Sequence, residues 1–437
     1  MKGIKALIKG ALNSFMNSYF KELSEFLEKA KTPYHAVAQA STRLDAAGFV
    51  RLYENHSWNL KDGGLYYVVR GGSSLIAFKN AGGGFMISAT HSDSPCFRVK
   101  GSVNSGAYVK LETERYGGMI NYTWLDRPLT VAGRVTVKTA KGISVKLCDI
   151  GDKKLVIPSL AIHLNRGVND SLKLNPAEDL LPLASLLGGK DIYEYLAESM
   201  SVKREDIVSC ELFLVDAEAP SAFGLENEFI LSPRLDDLSS AYAALKAFIL
   251  SDSKTSSVFA MFNNEEVGSE TKQGAASSFL RDVLRRISGS EESYLERLGS
   301  SFMVSADNAH AIHPNRPEMS DRRNAPTLGG GVVVKYNANQ KYATDAVSDG
   351  VIRRIAEAAD VKLQSYFNRA DLPGGSTLGS ISDTKVSVPT VDIGIPQLAM
   401  HSSNESAAIS DIADMQKLFE QFFKAELSVV GDFIDIV

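Results

Sequence analysis

The chain has 437 residues, 44% hydrophobic and 23% charged, with a formal net charge of −5. That length suggests two or three domains of about 150 residues each, and the charge balance offers no basic face for nucleic acid. Cys96, Cys148 and Cys210 are widely separated and form no metal-type pair, a usage that suits a cytoplasmic, reducing compartment.

The opening, MKGIKALIKGALNSF, is interrupted by lysines, lacks the continuous apolar stretch of a signal peptide and reads as a basic amphipathic start to a helix. No apolar run approaches the roughly 18 residues that span a bilayer, so no membrane partner is expected. Residues 15–48 are predicted helical with a break at Pro33. LYYVVR and SLIAFKN read as short strands, and GGFMISA as a buried strand leading to His91. In VAGRVTVKTAKGISVKLCDI, apolar and polar residues alternate around Lys141-Gly142, a hairpin pattern. AEDLLPLASLLGG and the residues after it read as helical.

From residue 231 the order becomes helix, strand, helix, strand. LSSAYAALKAFIL and GAASSFLRDVLRRIS are predicted helices; SSVFAMF, SFMVSA and VSVPTVDIGIP are predicted strands. A long amphipathic helix, with Ile412, Met415, Phe419, Phe422 and Phe423 on one face, is expected to close the chain. The pattern implies an α/β sandwich formed by residues 1–99 and 231–437, interrupted by a β-rich insert at 100–230.

Polar clusters recur where the predicted strands stop. ISATHSDSP ends in His91 and Asp93, SPRLDDL presents Asp236 and Asp237, and FNNEEVGSE presents Glu265 and Glu266. VSADNAHAIHPN carries Asp307, His310 and His313, and LAMHSSNES carries His401. Ligands bind at the carboxyl ends of strands in α/β folds. A set of imidazoles and carboxylates without cysteine suits zinc, cobalt or manganese in a hydrolytic site. Singly each residue has an ordinary reading: Asp236 as a helix N-cap, Asp93 and Asp307 as turn residues, the histidines as hydrogen-bonded structural groups. Five strand ends carrying suitable donors favour a shared site.

In order, ATHSDSPCFRVK, SPRLDDL, FNNEEVGSE, SADNAHAIHPN, NANQKYAT and QLAMHSSNE resemble the motif series of the M18 metallopeptidases, the aspartyl aminopeptidase family. The resemblance runs from TPYHAVAQA to MHSS, nearly the whole chain. It implies a zinc-peptidase-like α/β/α sandwich with an inserted β-rich dimerisation domain, two zinc ions per chain, and a tetrahedral dodecamer built from dimers. Carried over residue by residue, it implies His91, Asp236, Glu266, Asp307 and His401 as metal ligands, with Asp236 bridging. Glu265 is implied as general base toward a water shared by the ions, and Asp93 as the residue that orients His91. It further implies that His163 reaches a neighbouring subunit's site; from the residues alone, His163 reads as a buried structural histidine. Lys335 is implied to meet an acidic substrate side chain, its plain reading being a lysine that snorkels to water. His313, Gly374 and Gly375 are implied on the substrate side. Tyr342–Thr344 match a motif without an assigned chemistry.

Two departures stand out: Asp237 replaces the family's usual Asn, and RPEMSDRRNAPTLGGG is closer to bacterial members. The expected function is release of N-terminal residues, Asp or Glu in particular, from peptides. The alternatives are a related di-metal carboxypeptidase or deacylase, or a non-catalytic oligomeric shell.

Overall fold

The computed structural model describes residues 2–151, 153–372 and 374–436, with side chains from residue 16 onward. The chain forms two compact units, one of residues 1–93, 220–400 and 405–437, the other of residues 94–219 and 401–404.

The first unit is built on a nine-stranded sheet. Four strands run parallel at its centre, in the spatial order Ser256–Phe262, Phe85–His91, Phe302–Ala306 and Thr390–Gly394. Each is buried along its whole length, as expected of parallel strands covered on both faces. Alternate side chains serve the two faces. Phe259 and Met261 join a core with Phe26, Leu44, Phe248, Ile355 and Phe419, contributed by five helices. Val258, Ala260 and Phe262 join Phe279, Val283 and Leu284, from the helix Phe279–Ser288, on the other face. The result is an α/β/α sandwich. A smaller sheet orders Ser221–Phe223, Phe229–Ser232, Glu405–Ala408, Pro396–Leu398 and Ala309–His310.

The second unit is a six-stranded antiparallel sheet over its own core of Phe97, Leu111, Trp124, Val131, Leu212 and Leu214. The expected hairpin is present as Leu129–Thr139 paired with Gly142–Asp149.

Several predicted elements differ. AEDLLPLASLLGG is not helical: Leu183–Leu186 forms a strand against Tyr108–Lys110, and Pro182 bars an uninterrupted helix there. The helix of this region is Ile192–Ser199, opened by a reciprocal cap between Asp191 and Glu194. The helix Ile409–Phe422 does not close the chain, because a hairpin of Leu427–Val430 and Phe433–Ile436 follows it. The unit boundaries fall at 93/94 and 219/220 rather than 99/100 and 230/231, since Cys96–Ser105 pairs within the insert sheet whereas Phe229–Ser232 pairs with Glu405–Ala408. Lys2–Lys29 is one helix, but the side chains that would make its opening amphipathic lie outside the described residues. No helix among the described residues is long and apolar enough to cross a membrane.

Candidate metal centre

Because the four central strands are parallel, their carboxyl ends lie on one edge of the sheet. Phe85–His91 ends in His91, Phe302–Ala306 runs into Asp307, and Ser256–Phe262 leads through Asn263 and Asn264 into Glu265 and Glu266. Asn264 takes a left-handed conformation, φ 64°, and Gly268 closes the tight Glu265–Val267 turn at φ 97°, geometry that asparagine and glycine tolerate. Asp236 and Asp237 open the helix Leu235–Leu250 with non-helical backbone angles, so Asp236 is not a plain N-cap.

His91, Asp236 and Asp307 are all buried, and each offers a ligand atom within 4.8 Å of the others; His91, Glu265 and Glu266 form a second such group. His91 Nε2 lies 3.4 Å from Asp236 Oδ1 and 3.9 Å from Asp307 Oδ1. Its Nδ1 is 3.0 Å from the backbone oxygen of Asp93. An imidazole fixed through one nitrogen with the other turned to carboxylates is the arrangement of a metal ligand.

The ring is therefore held mainly by the backbone of Asp93, whose carboxylate is 3.6 Å away and has another task. Its two oxygens accept the backbone N–H groups of Glu265 and Glu266, each at 3.2 Å. One side chain thus pins the turn that carries both glutamates. Asp237 accepts the N–H of His91 at 3.1 Å. The amide oxygen of an asparagine could accept it equally, so the acid here keeps the hydrogen bond and adds charge. Glu405 accepts the N–H of Asp236 at 2.9 Å. The amide of Asn308 donates to Leu235 O, Ser239 Oγ and Gln397 Oε1, tying the Asp307 segment to the helix start that carries Asp236. Neither Asn308 nor Glu405 was found as a site residue from the sequence; their one local signal is adjacency to motif residues, in SADNAH and SSNES.

Burial raises Glu265 to about 8, helped by the charge of Asp307 and opposed by His91. Burial alone would lower His91, but hydrogen bonds with Asp236, Asp307 and Asp93 carry it well above the usual imidazole value. Asp237 is raised, first by burial and then by Asp307 and Asp236, against the opposing pull of His91. Among the described residues Lys335 is the one buried lysine or arginine. A desolvated cluster of acids with so little positive charge, whose donors are oxygen and imidazole without sulfur, fits a divalent transition-metal ion.

Of the other expected residues, His401 has φ 68°, lies with residues 401–404 in the second unit, and sets Nδ1 2.9 Å from Gly118 O. Lys335 does not snorkel to water. It is 2% exposed, and its ammonium donates to the carbonyls of Asp307 and Asn308 at 2.7 and 3.1 Å, 3.9 Å from Asp307 Oδ2. His163 is exposed, so the buried reading is overturned. His313 is exposed and accepts the N–H of Asn315 through Nδ1. Gly375 is open to solvent, while a Cβ on Gly374 would come within 2.6 Å of Asn368 Oδ1.

An α/β/α sandwich with a buried imidazole–carboxylate centre at the strand ends defines a metal-dependent hydrolase of the zinc-peptidase type. Residues 26–423 match the family described as aminopeptidase I zinc metalloprotease (M18). A probable M18 family aminopeptidase 2 of Clostridium novyi is 41% identical over 93% of this chain and 98% of its own. Among solved structures, an Ape4–Nbr1 complex aligns with a TM-score of 0.91 at 35% identity, over 94% of this chain and 86% of that one. An mApe1 dodecamer of S. cerevisiae aligns with a TM-score of 0.82 at 26% identity, over 94% and 97%. The chain belongs to the M18 peptidase family and is a metalloaminopeptidase.

The electrostatics give a pH dependence whose sign is fixed. Glu265 holds its proton to about 8 in the fold but only to about 4.5 when unfolded. Between those values the native state binds the extra proton, so stability falls as pH rises through the window. The raised His91 and Asp237 act in the same sense. Chelated protein should therefore melt at progressively lower temperature from pH 5 to pH 8, a decline that metal-loaded protein should lose. Calorimetry of both forms at pH 5, 6.5 and 8 tests this, and a flat profile for chelated protein contradicts the charge cluster as its cause.

Proposed function

We propose that the enzyme holds two divalent ions per chain, zinc in the first place, and uses them to release single residues from peptide N-termini. The carrying observation is the grouping of His91 with Asp236 and Asp307 on one side and with Glu265 and Glu266 on the other. His91, Asp236, Glu266, Asp307 and His401 are the residues that would hold the ions. When bound, the ions would polarise the scissile carbonyl and make water a better nucleophile at neutral pH.

Glu265 is the proposed proton carrier. It takes a proton from the attacking water and delivers it to the departing amine nitrogen as the C–N bond breaks. The grip of Asp93 on the Glu265–Glu266 turn keeps that carboxylate in place while Glu266 serves as a ligand.

The preference for Asp or Glu as the first residue rests on Lys335, the single buried lysine or arginine among the described residues, beside Asp307. A substrate carboxylate that entered this centre would have Lys335 as its nearest buried cation, in competition with two backbone carbonyls.

His163 sits in an exposed segment where Leu160, Ile162, Leu164 and Leu172 are 60, 48, 74 and 41% exposed. So much aliphatic surface in one short stretch supports burial against another subunit. The oligomer is proposed to be a tetrahedral dodecamer built from dimers, with His163 contributing to a neighbour's centre; the dodecameric state of the mApe1 relative supports the number of subunits. The protein is proposed to act in the cytoplasm.

Glu265→Gln should retain metal and lose turnover by about 10²- to 10⁴-fold, whereas Asp236→Ala should lose metal. Metal analysis beside an aminoacyl-substrate assay reads both, and full turnover of Glu265→Gln removes its proposed role. Wild type should favour Asp- over Leu-initiated peptides by about a hundredfold in kcat/KM, and Lys335→Met should erase most of that ratio. Equal cleavage of both peptides by wild type would leave the hydrolysis standing and end the acidic preference. Mixed assemblies of His163→Ala and Glu265→Gln chains should regain activity that neither parent has; mixtures as inactive as the parents would exclude a shared centre.

A further inference from the structure

Two stretches have no part in the metal centre: Tyr342–Thr344, which match a motif without an assigned chemistry, and the stretch from Gly374 to Gly379, of which Gly374 and Gly375 are implied on the substrate side. Both converge on one side chain, Asp392, in the middle of the fully buried strand Thr390–Gly394. Asp392 is itself completely buried.

Each part of Asp392 is engaged. Oδ2 accepts the backbone N–H of Ala343 at 2.6 Å, and Oδ1 accepts the hydroxyl of the buried Thr377 at 2.6 Å. Its own N–H donates to Thr344 Oγ1 at 2.9 Å. Gly379, in the first turn of the helix Leu378–Asp383, lies so close that a Cβ there would come within 2.4 Å of Oδ1, so that turn can pack onto the carboxylate only without a side chain at that position.

A buried carboxylate also needs a cation. Val334 pairs with Ile393 and Val333 with Gly394 in antiparallel register, and the next step along that register sets Lys335 across from Asp392. The lysine then reaches on to the carbonyls of Asp307 and Asn308. Tyr342 lies beneath its ammonium, with the ring centroid 5.1 Å from Nζ. Buried polar groups therefore run from the Asp307 segment to Lys335, across the strand register to Asp392, and on to Tyr342–Thr344 and the Gly374–Gly379 stretch.

We infer that Asp392 is a positioning residue that clamps the Gly374–Gly379 loop to the Tyr342–Thr344 segment and, through Lys335, holds that pair in register with the Asp307 end of the metal centre. The inference rests on the reading of the glycine loop as a substrate-side wall. The class of ligand concerned is the peptide main chain, which the exposed backbone of Gly375 and Ser376 can meet by hydrogen bonding. Asp392 touches neither substrate nor metal.

Three variants of the metal-loaded protein test it. Asp392→Asn keeps shape and an acceptor but drops the charge, Asp392→Ala removes both, and Thr377→Val removes one hydroxyl donor. The expected result is a KM raised about tenfold in the Asn and Val variants and further in the Ala variant, with kcat changed less than about threefold. Metal content should match wild type, and amide exchange at Ala343 and residues 376–380 should quicken at least about tenfold without substrate, a loss of local protection. An unchanged KM and exchange rate with only a lowered melting temperature would reduce Asp392 to a core residue and overturn the clamp. Metal loss in step with activity would also overturn it, by placing its effect on the ions. Thr377→Val carries the test if Asp392→Ala does not fold. Should wild type show no aminopeptidase turnover, the proposed function fails separately, and amide exchange alone decides whether the clamp exists.

Discussion

Everything at the active edge of this fold answers to one constraint: Asp93, Asp236, Asp237, Glu265, Glu266 and Asp307 share a small volume around His91, with most of that volume closed to water. In isolation the arrangement is unfavourable twice over, because burial penalises each charge and neighbouring acids repel. The raised values of Glu265, Asp237 and His91 express that strain, and protons relieve it at low pH. A divalent cation bound among these donors would relieve it at neutral pH and turn the same repulsion into affinity. The cluster groups Asp236 with Asp307, and Glu265 with Glu266, around a buried imidazole, the ligand atoms of each group within 4.8 Å of one another, and so reads as a metal centre and not as a polar patch.

Such a cluster keeps its shape only if the backbone beneath it cannot relax. Each segment that bears a proposed ligand of the first unit is held by a buried polar group that is not one. Asp237 holds the N–H of His91, Glu405 that of Asp236, and Asp93 those of Glu265 and Glu266; Lys335 takes the carbonyl of Asp307. The carboxylates are thereby divided by what they bond. Asp93 and Glu405 meet backbone amides, and Asp236 and Asp307 face the imidazole. Charge-assisted bonds of this kind are among the stronger ones available to a protein, and costly to leave half made.

How much of this was legible in the sequence depends on the range of each interaction. The central strands were legible because burial on both faces demands unbroken apolar runs, and the donors were legible because parallel strands deliver their ends to one edge. Leu183–Leu186 was misread because its apolar pattern suits a helix as well as an edge strand, and the partner that decides, Tyr108–Lys110, lies far away in the chain. The supporting shell was illegible for the same reason. Glu405 meets Asp236 across 169 residues and Asp237 meets His91 across 146, and nothing in the local pattern of either acid points to its partner. Lys335 shows the limit most clearly. A lysine ending an apolar strand suggests an escape to solvent, and only the antiparallel neighbour Thr390–Gly394 explains why it stays inside.

That neighbour also explains the geometry around Asp307. The chain leaving Phe302–Ala306 passes directly over Gly394, where a Cβ would lie 2.3 Å from the Asp307 carbonyl oxygen, and the N–H of Asp307 donates to Ile393 O. Asp307 is fixed from below by a glycine, from the side by a strand carbonyl and from within by Lys335. Two residues before Gly394 on the same strand, Asp392 accepts the Ala343 N–H and the Thr377 hydroxyl. One five-residue strand therefore supports a proposed metal ligand at its carboxyl end and, at its middle, the segments that carry Ala343 and Thr377. Along that strand the support for Asp307 and the support for Ala343 and Thr377 are two residues apart, at about 3.3 Å of rise per residue. Loops can then differ in sequence, as the stretch after His313 does here, without moving the strand that carries Asp392 and packs Gly394 against Asp307.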